Sequence, residues 1–170
     1  MKMVPKLIAA LFLLSLTVGT VVADQPVEAP DSCTYCGMNR TKFAHSRMLV
    51  RYSDGSSTGT CSIHCMAVEL ATHIDKQPSS LEVGAYDTRK LINAESAVWV
   101  IGGDKMGVMT SRAKWAFADQ SAAEAFIKAH QGSIGSFDDA IRVSYEDMYL
   151  DIKMIRERRA AKRMKQQHAH

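Results

Sequence analysis

The chain has 170 residues, of which 46% are hydrophobic and 23% are charged, and its formal net charge at neutral pH is +3. This length predicts one domain, or two very small ones, with an ordinary hydrophobic core and no low-complexity tract or long linker. Residues 153–165 hold seven Lys or Arg and a single acid. Without that segment and the leader described next, 12 basic and 17 acidic residues remain, so we expect no nucleic-acid partner.

The first 23 residues have the pattern of a secretory signal peptide. Two lysines precede an uncharged apolar run from Leu7 to Ala23, and Val21 and Ala23 occupy the small-residue positions of a cleavage site before Asp24. An uncleaved membrane anchor is the alternative, but roughly 16 apolar residues at about 1.5 Å each fall short of the roughly 30 Å hydrocarbon core. No cysteine follows the cleavage point, so we expect a periplasmic protein with no lipid anchor and no membrane span after cleavage.

The chain from residue 45 to residue 87 predicts two strands, a helix and a third strand. It follows a polar, proline-containing lead at residues 24–31, which carries no core pattern and which we expect to be flexible. The alternation in MLVRYS is typical of a strand, and the turn signal SDGSS leads into a second strand, STGTC. Ser62 is the expected N-cap of the helix in SIHCMAVELATHID, and LEVGAYD is the third strand.

The same order of elements occurs again between residues 97 and 137. AVWVIGG and KWAFAD are predicted strands, QSAAEAFIKAHQG is a predicted helix, and GSIGSF is a short third strand. We expect Ser121 to cap this helix, Ala125 and Phe126 to face inward, and Gly132 to end it. The two copies match in pattern rather than in residue identity, which predicts a duplicated ββαβ unit.

The chain from Asp138 onward predicts one long helix. Its apolar stripe steps by four and three residues and consists of Ile141, Tyr145, Met148, Ile152 and Ile155. The predicted fold is therefore α+β, with ββαβ units at residues 32–95 and 96–137 and a C-terminal helix and basic tail at residues 138–170. We expect the tail to be a solvated helix end, with an acidic protein partner or an anionic membrane surface as alternatives.

The four cysteines form two closely spaced pairs, Cys33 with Cys36 and Cys61 with Cys65. Gly37 allows a tight turn at the first pair, the second pair lies on one face of a helix start, and together they can make one four-sulfur site. Two disulfides are the ordinary expectation for an exported chain. Covalent haem is excluded because glycine rather than histidine follows Cys36. A thioredoxin-like redox site is disfavoured because the CxxC precedes a β-rich stretch instead of opening a helix.

Methionines near the cysteines and in a glycine-bordered loop favour a soft metal ion. Four thiolates suit tetrahedral Zn²⁺, whereas thioethers are poor ligands for zinc and good ones for Cu(I). Packing is the alternative role for each methionine, and Met48 and Met148 are assigned to the core. His45 is the better histidine candidate, because His64 should point away from both neighbouring cysteines on its helix. The candidate metal ligands are Cys33, Cys36, Cys61, Cys65, Met38, Met66, Met106, Met109 and His45.

The segments YCGMNRTKFAHSRMLVRYSDGSSTGTCSIHCM and VWVIGGDKMGVMTSRAKWAFADQSAAEAFIKAHQGSIGSFDD resemble the NosL family, the nitrous-oxide reductase accessory proteins. The similarity runs from about Ser32 to Asp139, and its recognisable parts are the Cys-Gly-Met at 36–38 and the methionine–glycine loop with the helix after it. The resemblance implies two ββαβ units, similar in arrangement to organomercurial lyase. It also implies an exported protein that delivers copper for the copper–sulfide centre of nitrous-oxide reductase, with Cys36 and Met38 as Cu(I) ligands.

Two features depart from that family pattern. Many members are lipoproteins, whereas this chain has no lipid-accepting cysteine, and its two cysteine pairs exceed what a site built on one Cys-Gly-Met needs. No nucleophile elbow, phosphate loop or paired-carboxylate motif is present, so we expect no enzymatic activity. We therefore expect a Cu(I)-binding accessory protein whose partners are a client metalloenzyme or assembly proteins. The alternative is a structural zinc-bearing module that scaffolds a periplasmic assembly complex.

Overall fold

The computed structural model describes residues 27–168, so the predicted signal peptide lies outside the described residues. Within this range no helix is both long and apolar enough to cross a membrane. The secondary-structure elements, in chain order, are β1 (Met48–Tyr52), β2 (Ser57–Thr60), α1 (Ile63–Thr72), β3 (Pro78–Gly84), β4 (Leu91–Asn93), β5 (Val98–Ile101), β6 (Lys114–Phe117), α2 (Gln120–His130), β7 (Ser133–Gly135) and α3 (Phe137–Gln167).

The strands form two antiparallel sheets with the same arrangement. The first sheet has the order β2-β1-β3-β4 and the second has the order β6-β5-β7. In each sheet the first strand of the unit is central, its hairpin partner lies on one side, and the strand that follows the helix lies on the other. The predicted α+β class and the duplicated ββαβ order are thereby confirmed. Strand β4, which pairs with the free side of β3, is an addition that the sequence pattern does not indicate.

The second sheet separates two hydrophobic cores. Consecutive residues of a strand point to opposite faces of a sheet, so Trp99 of β5 joins one core and Val100 joins the other. The first core also holds Met48, as expected, together with Val50 of β1. The second core holds aromatic residues of β6 and α2 and three of the cysteines. Most of the candidate thiol ligands therefore belong to a packed core rather than to a surface loop.

The start and the inward face of α2 differ from the sequence-based expectation. Asp119, not Ser121, is the N-cap, because its carboxylate accepts hydrogen bonds from a backbone amide of the first turn at 2.9 Å and from the Ser121 hydroxyl. Ala123 is buried with Phe126, whereas Ala125 is exposed. Residues three apart share a helix face and adjacent residues do not, so Ala125 cannot point inward together with Phe126.

The other two helices also deviate from the predicted pattern. The predicted helix through residue 75 ends at Thr72, and Ile74 beyond it is 88% exposed. Helix α3 begins one residue earlier than predicted and packs against α1. Tyr145 of the expected apolar stripe is exposed, whereas Val143 and Asp151 are buried. The buried face of α3 is therefore rotated relative to the predicted stripe. It includes a carboxylate, that of Asp151, which an apolar pattern does not reveal.

A fully buried guanidinium group, that of Arg40, joins the lead to the first sheet. Its hydrogen bonds go to the carbonyl oxygens of Glu28, Pro30, Met48 and Thr60. The carboxylate of Glu28 balances its charge and also accepts a hydrogen bond from Arg47 at 3.0 Å. Residues 27–31 of the lead are therefore held by the body of the protein. No local pattern predicts this, because the partners are distant in sequence.

Replacing Glu28 by glutamine should destabilise the fold, because two largely buried guanidinium groups would lose their counter-charge. Breaking a fully buried pair costs about 3–5 kcal/mol, and we expect about 2 kcal/mol here because the Glu28 side chain is 24% exposed. Urea unfolding of the two proteins measures the difference in free energy of unfolding.

Glu82→Gln is the matched control, since Glu82 pairs with the exposed Arg51 and its loss should cost less than about 1 kcal/mol. Burial raises the pKa of Glu28, but the hydrogen bonds and charge of Arg47 outweigh burial and hold this pKa below its ordinary value. The contribution of Glu28 is therefore present at neutral pH and is lost as the pH falls through the lowered pKa. Equal losses of stability in the two variants would contradict this account.

Candidate metal site

Cys33 and Cys36 lie in a closed turn that precedes the first sheet. The amide of Gly37 donates to the carbonyl of Cys33 at 2.9 Å, and the amide of Cys33 donates to the carbonyl of Met38 at 2.8 Å. Gly37 has a φ of +72°, in the left-handed region that glycine enters without steric cost. The turn brings both thiols to the same place, as the spacing of CxxCG predicts.

Cys61 and Cys65 present their thiols from the junction of β2 and α1. Cys61 follows the last residue of β2, and Cys65 lies in the first turn of α1 after the N-cap Ser62. The Tyr35 hydroxyl, which belongs to the cysteine turn, donates to the carboxylate of Glu69 on α1 at 2.6 Å. The cysteine turn and the start of the helix are thereby held against each other.

The four sulfur atoms converge on one point and are referred to below as the cysteine cluster. All lie within 4.8 Å of one another, with 3.4 Å between Cys36 and Cys61 and 3.8 Å between Cys61 and Cys65. Tetrahedral Zn–S bonds of about 2.3 Å place sulfurs about 3.8 Å apart, so the cysteine cluster has the dimensions of a four-thiolate metal site. The four are free thiols, so the two-disulfide alternative is not the arrangement observed. Cys36 is half-buried and forms the accessible edge, whereas the other three are buried.

The close approach of the four thiols separates their pKa values. Hydrogen bonds from the other three cysteines lower the pKa of Cys33. The pKa values of Cys61 and Cys65 are raised, first of all by hydrogen bonds to the Cys33–Cys36 pair. For Cys36 the bond to Cys33 raises the pKa, but bonds to the other two thiols outweigh it and lower the pKa to about 7. Four thiolates at these distances repel one another, so a cation is needed before all four can lose their protons.

A cavity of about 420 Å³ beside the cysteine cluster is lined by methionines. It forms where the loop between β5 and β6 (residues 102–113, the methionine loop) meets the cysteine turn. Three of the four predicted methionine ligands line it, namely Met38, Met106 and Met109. The fourth methionine that lines the cavity is Met154 of α3, which no local pattern in the sequence indicates as a ligand. Met66 lies elsewhere, fully buried in the first core, where packing accounts for it.

His45 lines the same cavity and is held by aromatic rings. The centroid of its ring lies 5.6 Å from that of Trp115 and 5.8 Å from that of Tyr86. Burial lowers the pKa of His45, and the charge of Arg89 lowers it further. The imidazole is therefore neutral at pH 7 and has a lone pair available for a metal ion. The structure places His45 beside Met38 but outside the cysteine cluster.

His64 lies outside the cysteine cluster. It lines a second cavity, of about 260 Å³, together with Cys36 and Cys65. Its Nδ1 atom lies 3.6 Å from the Oδ2 atom of Asp151 on α3, and both atoms lack a hydrogen-bond partner among the described residues. The packing of α3 against α1 creates this pair, so no local sequence signal reveals it.

The C-terminal helix covers both cavities. The guanidinium group of Arg159 donates to the carbonyl of Cys36 at 3.3 Å, and that of Arg158 lies 3.7 Å from the sulfur of Met106. Asp151 accepts hydrogen bonds from a backbone amide and a hydroxyl of the methionine loop, which tie this loop to the helix. Arg158 and Arg159 of the basic tail therefore border the site, while the charged side chains of the tail are exposed, as expected.

Comparisons with known proteins agree with this architecture. The NosL family model matches residues 24–144, which include all four cysteines. The crystal structure of the copper chaperone NosL from Shewanella denitrificans is similar, with a TM-score of 0.52 over 68% of this chain and 95% of that chain. The two sequences are 21% identical, so this likeness concerns the fold. A comparison with the curated proteins finds no match.

Cys36 should be the most reactive thiol of the metal-free protein. It is the least buried of the four, and its pKa of about 7 lies well below that of an ordinary cysteine, so its thiolate forms at a lower pH. We expect its alkylation by iodoacetamide to rise with pH around a midpoint near that pKa of about 7.

Mass spectrometry of peptides from protein kept free of metal and oxygen gives the alkylation rate at each cysteine. Cys33, Cys61 and Cys65 serve as internal controls and should react more slowly at every pH, because burial limits access to them. Faster labelling of a buried cysteine, or a midpoint at the ordinary value for a free thiol, would count against the described geometry.

Proposed function

Because this chain belongs to the NosL family, we propose that it is a Cu(I)-binding accessory protein rather than an enzyme, and that it delivers copper to a client metalloenzyme. The observation that carries the proposal is the convergence of four free thiols within 4.8 Å, beside a cavity lined by methionines. Thiolate and thioether sulfur together favour a soft monovalent ion over zinc or a hard cation. The structural relative from Shewanella denitrificans is itself a copper chaperone, which supports the same role.

Cys36 and Met38 are the principal ligands in this proposal. Cys36 is the thiol at the accessible edge of the cysteine cluster, and its lowered pKa favours the thiolate that binds metal. Met38, two residues later, lines the neighbouring cavity, and His45 offers a neutral nitrogen at the same cavity. The other three cysteines supply thiolates from the interior, so that sulfur surrounds the ion on its buried side.

Delivery requires a site that holds Cu(I) tightly and still lets another ligand attack it. Few sulfur ligands satisfy Cu(I), so a cluster of four offers more than the ion needs. A ligand from a client can approach on the side of Cys36, where burial is incomplete, and displace the protein sulfurs one at a time. The three buried thiols keep water away from the other side of the ion during this exchange.

We place this activity in the periplasm, with the copper–sulfide centre of nitrous-oxide reductase as the destination. The signal-peptide pattern of residues 1–23 supports export. The destination rests on the resemblance to the nitrous-oxide reductase accessory proteins. The partners are then the client enzyme or its assembly proteins, and the exposed end of α3 at residues 160–168 offers positive charge to an acidic partner.

One observation favours a second candidate function, a structural zinc-bearing module that scaffolds an assembly complex. The sulfur–sulfur distances match those of a tetrahedral four-thiolate site, and three of the cysteines are embedded in the second core. A closed site of this kind contributes to folding, so removal of the metal would unfold the protein. Copper delivery predicts the opposite, namely a protein that remains folded when the metal leaves.

Metal analysis of the mature chain, residues 24–170, separates the two functions. From cells given both copper and zinc, we expect about one Cu(I) per chain, which a competing chelator removes without unfolding the protein. Cys36→Ala should weaken Cu(I) binding on the order of a hundredfold or more, a loss of about 2.8 kcal/mol, because the ion loses a principal thiolate ligand. Circular dichroism should show that the variant keeps its secondary structure.

Cys65→Ala is the comparison variant, because it removes a buried thiol of the same cluster. In a closed zinc site, both alanine variants should lose the metal and should also lose their folded structure. In a delivery site, loss of the accessible thiol should weaken copper binding and slow transfer while the protein stays folded. Unchanged Cu(I) affinity in Cys36→Ala would contradict the proposed ligands. If the purified protein instead contains one zinc ion per chain and unfolds when a chelator removes it, the structural role would replace copper delivery as the proposed function.

A further inference from the structure

Met106 and Met109 of the methionine loop and Met154 of α3 line the cavity next to the cysteine cluster. We propose that these three thioethers form a second, weaker Cu(I) site, through which the ion passes from the cysteines to an acceptor. The inference rests on the copper-binding role proposed above and adds a distinct site to it. Met154 brings the C-terminal helix into metal binding, which neither the cysteine spacing nor the family match implies.

Core packing explains these methionines only in part: Met109 packs against the second core, but Met106 does not. Met106 is 71% exposed, so it contributes little to the interior. Met109 has a φ of +62°, in the left-handed region that residues other than glycine rarely adopt. Strained residues of this kind cluster at ligand-binding sites, where the surrounding structure holds them in place. Gly107 lies between the two, and a Cβ there would lie 2.6 Å from the side chain of Thr110, so the loop is tightly built.

Met109 connects the proposed site to the cysteine cluster. It lines the 420 Å³ cavity with Met106 and Met154, and it also lines the 260 Å³ cavity with Cys36 and Cys65. An ion can therefore exchange a Cys36 thiolate for the Met109 thioether without first being released to water. One copper–thiolate bond breaks as one copper–thioether bond forms, copper stays Cu(I), and the freed thiolate takes up a proton from solvent. No oxidant or reductant takes part.

Charge makes the thioether site the weaker of the two. Thioethers are neutral, so an ion bound by them keeps its positive charge, whereas cysteine thiolates offset that charge. Arg158 and Arg159 line the same cavity, and the guanidinium group of Arg158 lies 3.7 Å from the sulfur of Met106. Repulsion between these groups and a bound cation lowers the affinity. The resulting order, cysteine cluster first and thioethers second, is the order that delivery to an acceptor requires.

The test follows the methyl signals of carbon-13-labelled methionines by NMR while Cu(I) is added without oxygen to the mature chain. The first equivalent should enter the cysteine cluster and leave the signals of Met106 and Met154 little changed. The second equivalent should shift the signals of all three methionines. The signal of Met164, which is exposed near the end of α3 and lies away from both cavities, should stay in place. A parallel titration with Ag(I) excludes effects of copper oxidation.

A leucine variant supplies a second, independent readout. Leucine keeps the apolar character and approximate volume of methionine but removes the sulfur. We expect M106L/M109L/M154L to bind the first equivalent as the unmodified protein does, to lose the second, and to pass Cu(I) to a chromogenic chelator roughly tenfold more slowly. The matched control is M148L/M164L, which removes two methionines of α3 outside the cavity and should behave as the unmodified protein.

The thioether site would be overturned if the methyl signals did not move with the second equivalent of Cu(I). It would also be overturned if the triple variant still bound two equivalents. Copper binding by the cysteines would be unaffected by either result. Failure of the proposed function gives a different result, because then neither equivalent binds and added Cu(I) does not protect Cys36 from alkylation. If the triple variant does not fold, the methyl shifts of the unmodified protein decide by themselves.

Discussion

The buried guanidinium group of Arg40 joins the cysteine turn to the first two strands. Arg40 ends the cysteine turn, and its hydrogen bond to the carbonyl of Thr60 fixes this turn to the residue that precedes Cys61. Cys36 and Cys61 are 25 residues apart in the chain, and this contact together with the Tyr35–Glu69 hydrogen bond holds their two segments against each other. A buried charge is tolerated here only because a carboxylate balances it and carbonyl oxygens accept its remaining donors. The position of the cysteine cluster thus depends in part on the ion pair between Arg40 and Glu28.

The metal site and the fold also share the second core. Three of the cysteines pack with the aromatic residues of β6 and α2, and this packing restricts their side chains. An ion bound by these thiols would order few additional groups, which would keep the entropic cost of binding low. The same packing leaves the site asymmetric, because only Cys36 is half-buried. Incoming ligands can therefore reach the cluster only from the side of Cys36. The two cavities and α3 lie on that side.

Local patterns in the sequence predict the parts of this structure that local interactions determine. Alternation, turn signals and caps predict both ββαβ units, and the spacing of the cysteines with Gly37 predicts the closed turn. Local patterns do not predict which face of α3 is buried, because packing against α1 and the methionine loop determines that face. Asp151 occupies a buried position of that helix and accepts hydrogen bonds from the loop, so a search for an apolar stripe passes over it. The roles of Met154 and His64 follow from the same rotation and are missed for the same reason.

The two ends of α3 differ in how firmly they are attached. Around Asp151 the helix is buried and holds the methionine loop, whereas beyond residue 159 most side chains are exposed and the helix relies on strong helix formers such as alanine, arginine and lysine. Arg158 and Arg159 reach the two cavities through exposed contacts, which water weakens and which break at little cost in free energy. Asp151 is buried, and water competes far less with its contacts. The C-terminal helix is therefore weakly attached where Arg158 and Arg159 border the cavities and firmly attached where Asp151 holds the methionine loop.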